Sequence, residues 1–320
     1  MDSSSRPRRR RRARRSRRRA LVSLALVLAA VGGGTAAGAR YMTSWAHPRA
    51  AETVSSSASR AVEGEEAAVD RDALLAAAMG SVDVADGAEI SVAVLDPDSG
   101  EGASYGGGAF DTASIVKVDV LAALLLQAQD AGRTLTSEER TYAAAMIENS
   151  DNDSTSALWR TIGTADGLDA ANERFGLTGT AGGDGPLWGL TQTTAADQIA
   201  LLRQVFDAEG SELSEASRAY VRGLMERIAV GQRWGVSAAA DGAGWALKNG
   251  WLRRSTTGLW VINSIGRVTA GGHGYLVAVL SRGSATREEG VALTEAAARA
   301  AVSVFTGDTA GDPAGAQASS

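Results

Sequence analysis

The sequence predicts an α+β domain: an antiparallel sheet flanked by N- and C-terminal helices, with an all-helical region inserted between the sheet's early and late strands. Three observations carry this. One strand-like run, Glu89–Leu95, stands far ahead of the others, separated from them by helical patterns. Three later strand-like runs follow one another through Gly-containing turns, which is the pattern of antiparallel hairpins. A final helical pattern, Ala285–Phe305, then brings the chain back to the sheet.

Taken in order, Arg71–Met79 reads as a helix with Leu74 and Leu75 facing inward. Glu89–Leu95 alternates β-branched and small residues and ends in the turn Asp96-Pro97-Asp98-Ser99-Gly100, after which a second short strand is expected. Ser114–Asp130 is apolar nearly all round and stops before Gly132, so it is expected to be a buried central helix. Thr136 and Glu139 form a capping-box pattern that opens a helix running to Ile147. Shorter helices follow, among them Ala195–Phe206 and Glu215–Ile228. The three strands are Gly244–Arg253, Gly258–Val268 and Gly274–Arg282. No internal repeat is evident.

The ends read differently. Eleven arginines fall within residues 1–19, and residues 20–39 are apolar or small, closing on Ala37-Gly38-Ala39. A basic stretch, an apolar stretch and a small-residue site are the parts of an export signal, so residues 1–39 are expected to be a cleaved signal or an uncleaved signal anchor. Either way the remainder lies outside the cytoplasm, secreted or held in the cell envelope by residues 20–39. Residues 40–67 read as a linker, 68–305 as the folded domain and 306–320 as a disordered tail.

Composition removes several function classes. There is no cysteine, which excludes disulfides, a thiol nucleophile, Cys-ligated zinc and a lipidated Cys. Only two histidines exist. His47 lies in the linker and His273 in a hairpin turn, so neither a His-rich metal centre nor a Ser-His-Asp triad is expected. No cofactor or metal is called for. The chain beyond residue 39 carries 21 basic against 36 acidic residues, which argues against a nucleic-acid partner. The domain is expected to be monomeric.

The cations are the most informative feature. Only two of the 32 basic residues are lysines, Lys117 and Lys248. A desolvated ammonium can lose its proton, whereas guanidinium stays charged. Lys117 ends Ser114-Ile115-Val116-Lys117, an S-x-x-K that would put both side chains on one helix face. Lys248 opens Lys248-Asn249-Gly250 on a strand, and Ser150-Asp151-Asn152 lies between them in a turn. S-x-x-K, S-D-N and K-x-G in that order resemble the class A β-lactamases and penicillin-binding proteins.

The resemblance implies that family's fold and an exported serine hydrolase whose partner is a β-lactam or a D-alanyl cell-wall peptide. It implies Ser114 as nucleophile forming an acyl-enzyme, Lys117 as base and Ser150 as proton relay. Asn152, Lys248, Asn249 and Gly250 would bind substrate, and the Trp251 and Ser114 amides would form an oxyanion hole. Asp151 is expected to hold the turn. Alternatives in keeping with the same motifs are a D-Ala-D-Ala peptidase, or a β-lactam- or cell-wall-binding module with little or no turnover. Three departures matter. Asn249 stands where the family has a hydroxyl residue. The interval from Ser114 to Ser150 is short. The family's E-x-x-L-N loop is absent, and Asp184 is the sole carboxylate in the corresponding stretch 179–189, hence the candidate water-activating group.

Overall fold

The computed structural model of the chain describes residues 69–307. The export segment and the linker, with the tail beyond Gly307, lie outside the described residues. The described part opens with helix α1 (Arg71–Met79), then strands β1 (Glu89–Leu95), β2 (Gly102–Tyr105) and β3 (Phe110–Asp111). The helical insertion comprises α2 (Val116–Asp130), α3 (Ser137–Glu148), α4 (Asn152–Thr161) and α5 (Thr164–Phe175). After strand β4 (Gln192–Thr193) come α6 (Ala195–Phe206) and α7 (Glu215–Met225). Strands β5 (Trp245–Arg253), β6 (Trp260–Ala270) and β7 (His273–Ser284) and helix α8 (Arg287–Thr306) complete it. The main sheet is antiparallel throughout, in the order β2-β1-β7-β6-β5, so the first two strands join the last three across the insertion.

Alternation along the strands builds two cores. Val277 and Val279 of β7 pack with Val92 and Val94 of β1 on the face covered by α1 and α8. Leu276, Ala278 and Leu280 turn to the other face, where α2 lies with the helical insertion. A strand covered on both sides reads as an unbroken apolar run, which is what Tyr275–Leu280 shows. The turn between β6 and β7 is Gly271-Gly272, both at positive φ (58° and 82°), the geometry that a two-residue hairpin demands and glycine accepts. In α1 the expectation is half right: Leu75 is fully buried, whereas Leu74 is exposed. One helical turn cannot point both neighbours at the same surface.

Helix α2 is the axle of the domain. Every residue from Val116 to Leu126 is buried, Lys117 and Asp119 included. Burial pushes the Asp119 carboxyl up to about 8, with the Asp169 and Asp197 charges adding to the shift, so it stays protonated at neutral pH. The helix does not begin at Ser114 as expected. Residues Ala113–Ile115 form a 3-10 turn, and Ala113 sits at φ 48°. Neither Thr112 nor Asp111 caps it through a side chain.

The turn is fixed from outside instead. Thr112 N donates to Thr191 O at 2.8 Å, and β3 pairs with β4 just before it. Asn263 of β6, fully buried, donates its amide to Asp111 O at 2.8 Å and Thr112 O at 3.0 Å, while its oxygen accepts from Ser281 N at 3.1 Å. The sheet thereby holds the approach to Ser114. Asn263→Ala would remove the amide's bonds to Asp111 O and Thr112 O and the acceptor of Ser281 N. Urea denaturation should show a loss of about 1–3 kcal/mol in unfolding free energy, more than a surface Asn→Ala gives.

Candidate active site

Three segments converge on Lys117. Its ammonium, wholly buried, donates to Ser150 O at 2.7 Å, Ser150 Oγ at 2.9 Å and Asn152 Oδ1 at 2.8 Å. Three donors meet three acceptors, which is the arrangement a buried ammonium needs. The acceptors converge because Ser150 adopts φ 57°. A non-glycine residue in that region costs of order 1–3 kcal/mol and persists only where its surroundings enforce it. Asp151 then caps α4, its carboxylate accepting from Ser154 N at 2.7 Å. It therefore holds the turn, as the sequence suggested.

Lys248 approaches from β5. It too is wholly buried, and donates to Ser150 Oγ at 3.2 Å and Asn249 O at 2.9 Å. One hydroxyl thus bridges both lysines of the chain. Burial lowers Lys117 to about 7, partly countered by the Asp151 charge. Burial and then the charge of Lys117 hold Lys248 well below its ordinary range. Two ammonium groups bridged by one hydroxyl repel, so the cluster favours at least one neutral amine. Asn152 is exposed, and with its oxygen on Lys117 its amide N–H groups remain for another partner.

Ser114, nearly buried, lies on the 3-10 turn that leads into α2 three residues before Lys117. Strand β5 is the last of the sheet, and this turn packs against its face at Gly250. A Cβ at Gly250 would stand 2.7 Å from Thr112 O, 2.8 Å from Ser114 N and 2.9 Å from Ile115 N. Trp251 follows, partly buried, with its ring 6.0 Å from that of Trp234 and 5.1 Å from the Arg287 guanidinium.

One expected substrate contact is placed elsewhere. Asn249 does not face the cleft. It is fully buried, and both its N–H groups are spent on Gln232 O at 2.7 Å and Trp234 O at 3.0 Å, tying β5 to the loop before it. Alternation along the strand turns it away from the side that Lys248 and Gly250 occupy. Asp184 is exposed on its loop. The loop residue that reaches the cluster is Trp188, whose ring centre lies 5.0 Å from Lys117 Nζ. Its indole N–H donates to Ser156 Oγ of α4 at 3.2 Å. Sequence reasoning had searched this stretch for a carboxylate and passed over the indole.

The family model described as the beta-lactamase enzyme family matches residues 139–305, just over half of the chain. That span holds the Ser150–Asn152 turn and Lys248–Gly250. Relatives named as a lipoprotein, LppW, in Mycobacterium tuberculosis and Mycobacterium bovis are 28% identical over 172 residues, 52% of this chain and 55% of theirs. The chain thus spans about half the length of the curated relatives it matches. Among solved structures, PBP-A is 20% identical with a TM-score of 0.63, over 73% of this chain and 96% of that one. A class A beta-lactamase from Bacteroides cellulosilyticus is 16% identical with a TM-score of 0.62, over 74% and 99%. A PBP-A variant solved as an acyl-enzyme complex with penicillin G has a TM-score of 0.61 at 20% identity, over 73% and 97%. At these identities the likeness is one of fold, and it is the α+β fold with a helical insertion that the sequence predicted.

The contact at Gly250 gives a direct check. Gly250→Ala forces a methyl onto backbone atoms that cannot rotate away. Its thermal midpoint should fall by an amount equivalent to about 1–3 kcal/mol. Gly107→Ala, where a Cβ would meet nothing within 4 Å, should leave the midpoint unchanged within error.

Proposed function

The chain belongs to the beta-lactamase enzyme family, and from that premise we propose that it is an exported serine acyltransferase-type hydrolase that captures β-lactams or D-alanyl peptides on Ser114. The observation that carries this reading is the buried Lys117 amine, held by Ser150 and Asn152 beside the Ser114 turn. Ser114 Oγ would attack the amide carbonyl while Lys117, in its neutral form, takes the hydroxyl proton. The Ser114 and Trp251 amides would receive the developing oxyanion at the edge of β5. As the C–N bond breaks, Ser150 would pass its proton to the leaving nitrogen and recover one from the Lys117 ammonium. The ester on Ser114 is then complete, and the proton count is balanced.

Lys248 would complete the electrostatics from below. It is buried under Ser150, so it would act on a substrate carboxylate through that hydroxyl and through its charge rather than as an exposed anchor. Asn152 would donate its free amide to the substrate. The second reading, a binding module with little turnover, is favoured by the loop 179–189. It carries no carboxylate bonded into the Lys117 cluster, and Asp184 is exposed. Capture without efficient release joins the two readings, and the PBP-A acyl-enzyme with penicillin G is a relative in fold that makes such an adduct. Envelope association is supported by the lipoprotein name of the mycobacterial relatives. With no cysteine in this chain, anchoring would fall to residues 20–39.

A chromogenic cephalosporin tests the reading. It should give a burst of about one equivalent followed by a slow phase, because acylation outruns release. The burst rate should rise with pH through a midpoint near 7, since below it Lys117 is charged and cannot accept a proton. Lys117→Arg should remove the burst at every pH, because guanidinium does not deprotonate. Asp184→Asn should change neither phase. A steady fast rate with no burst, or a burst that survives Lys117→Arg, would contradict the assignment.

A further inference from the structure

The loop that lacks a deacylating carboxylate places an aromatic ring on the lysine instead. Trp188 stands on a short 3-10 turn, Trp188–Leu190, that packs on the Ser114 turn. Three contacts fix this loop. Trp188 Nε1 is bonded to Ser156 Oγ, Thr191 N to Trp188 O at 3.2 Å, and Thr112 N to Thr191 O at 2.8 Å. Gly179 N and the Thr180 hydroxyl are held by the Asp197 carboxylate further back, at 2.8 Å and 2.6 Å. Lys117 Nζ is therefore enclosed by Ser150 and Asn152 on one side and by an indole at 5.0 Å on another. The ring offers no lone-pair acceptor for a water, and the turn that carries it packs on the Ser114 turn at Ala113.

Resting on the reading of Ser114 as the acylated residue, we infer that Trp188 is a positioning residue with two effects: it keeps the Lys117 amine dry and it shields the Ser114 ester from water. Hydrolysis of that ester requires a water oxygen to bond the carbonyl carbon while the C–Oγ bond breaks, with the water's proton passing through Lys117 to Ser114 Oγ. An indole against Lys117 obstructs the route at its first step. The same indole favours the neutral amine that acylation needs, because it excludes solvent. The two effects together bias the site toward capture and against release.

The ring acts on Lys117 in opposite directions, and magnitude decides between them. Its attraction for an ammonium raises the titration midpoint by roughly one pH unit. The dehydration it enforces lowers the midpoint by up to several. Opening the cover should therefore move the midpoint upward. The other charged groups around the amine are Asp151 on the turn and Lys248 on β5, with Asp111, paired to Arg254 at 2.8 Å, further along the cleft. None of these is altered by a change at Trp188.

The chain has two lysines, so ¹³Cε-lysine labelling of the whole protein gives two titrating signals, assigned with Lys117→Arg. Trp188→Ala should raise the Lys117 midpoint by about one pH unit or more toward its ordinary 10.5. Trp188→Phe, which keeps an apolar cover, should stay within about half a unit of the parent. In the cephalosporin assay Trp188→Ala should slow the burst at pH 7 and speed the slow phase by about ten-fold or more, a split that a general loss of structure would not give. An unmoved Lys117 midpoint in Trp188→Ala, or a slow phase no faster than the parent's, would overturn the inference. Absence of a burst in the parent as well would sink the Ser114 reading, while the lysine titration would still decide the role of the ring.

Discussion

A buried lysine amine needs hydrogen-bond partners to be tolerated in a protein interior, and this domain holds Lys117 at its centre. Lys117 sits on a helix buried from Val116 to Leu126, where Asp119 is the other ionisable residue, so its donors are met from other elements. The Ser150–Asn152 turn meets them, at the cost of a left-handed serine. Asp151 repays part of that cost by capping α4. The position of α4 against α2 is thus tied to the hydrogen-bonding needs of one amine. Lys248, joined through the Ser150 hydroxyl, ties the sheet edge into the same cluster.

Ser114, the proposed nucleophile, is placed by the sheet rather than by its own helix. Ala113 is held at positive φ, Asn263 bonds the carbonyls before it, and Gly250 lets the turn lie directly on β5. Such devices fix a reactive side chain before substrate arrives, which is where strained backbone is most often found. The loop on the far side supplies Trp188 and no bonded carboxylate. On the proposed reading, a site organised this way would form an ester readily and hydrolyse it slowly, an asymmetry that would set it apart from an efficient β-lactamase.

Much of this was legible in the sequence, and the reasons are local. The central helix was legible because burial on all sides leaves a nearly continuous apolar run, and the three late strands because glycine-containing turns, residues 254–259 and Gly271-Gly272, punctuate them. S-x-x-K, S-D-N and K-x-G carried the site because two lysines in a chain of arginines stand out. What could not be read depends on distant partners. The β3–β4 bridge is two residues long on each side and joins positions some eighty residues apart, too short to leave a pattern. The 3-10 turn at Ser114 is imposed by Thr191 and Asn263, and helical propensity says nothing about either. Asn249 looked like a substrate contact because the motif was read along the chain, whereas its amide is committed to Gln232 and Trp234. Asp119, a carboxyl inside the apolar helix, has the Asp169 and Asp197 charges near it, a setting the helix pattern does not show.

The central claim is that Ser114 forms a covalent ester under the control of the Lys117 cluster. Intact-protein mass spectrometry of the domain with penicillin G, followed over time and located by peptide mapping, tests it most directly. The account predicts a gain of one penicillin per chain, carried by the peptide containing Ser114, persisting well beyond the time of its formation and absent in Ser114→Ala. A chain that gains no mass and leaves the antibiotic intact, or an adduct that survives in Ser114→Ala, would contradict it.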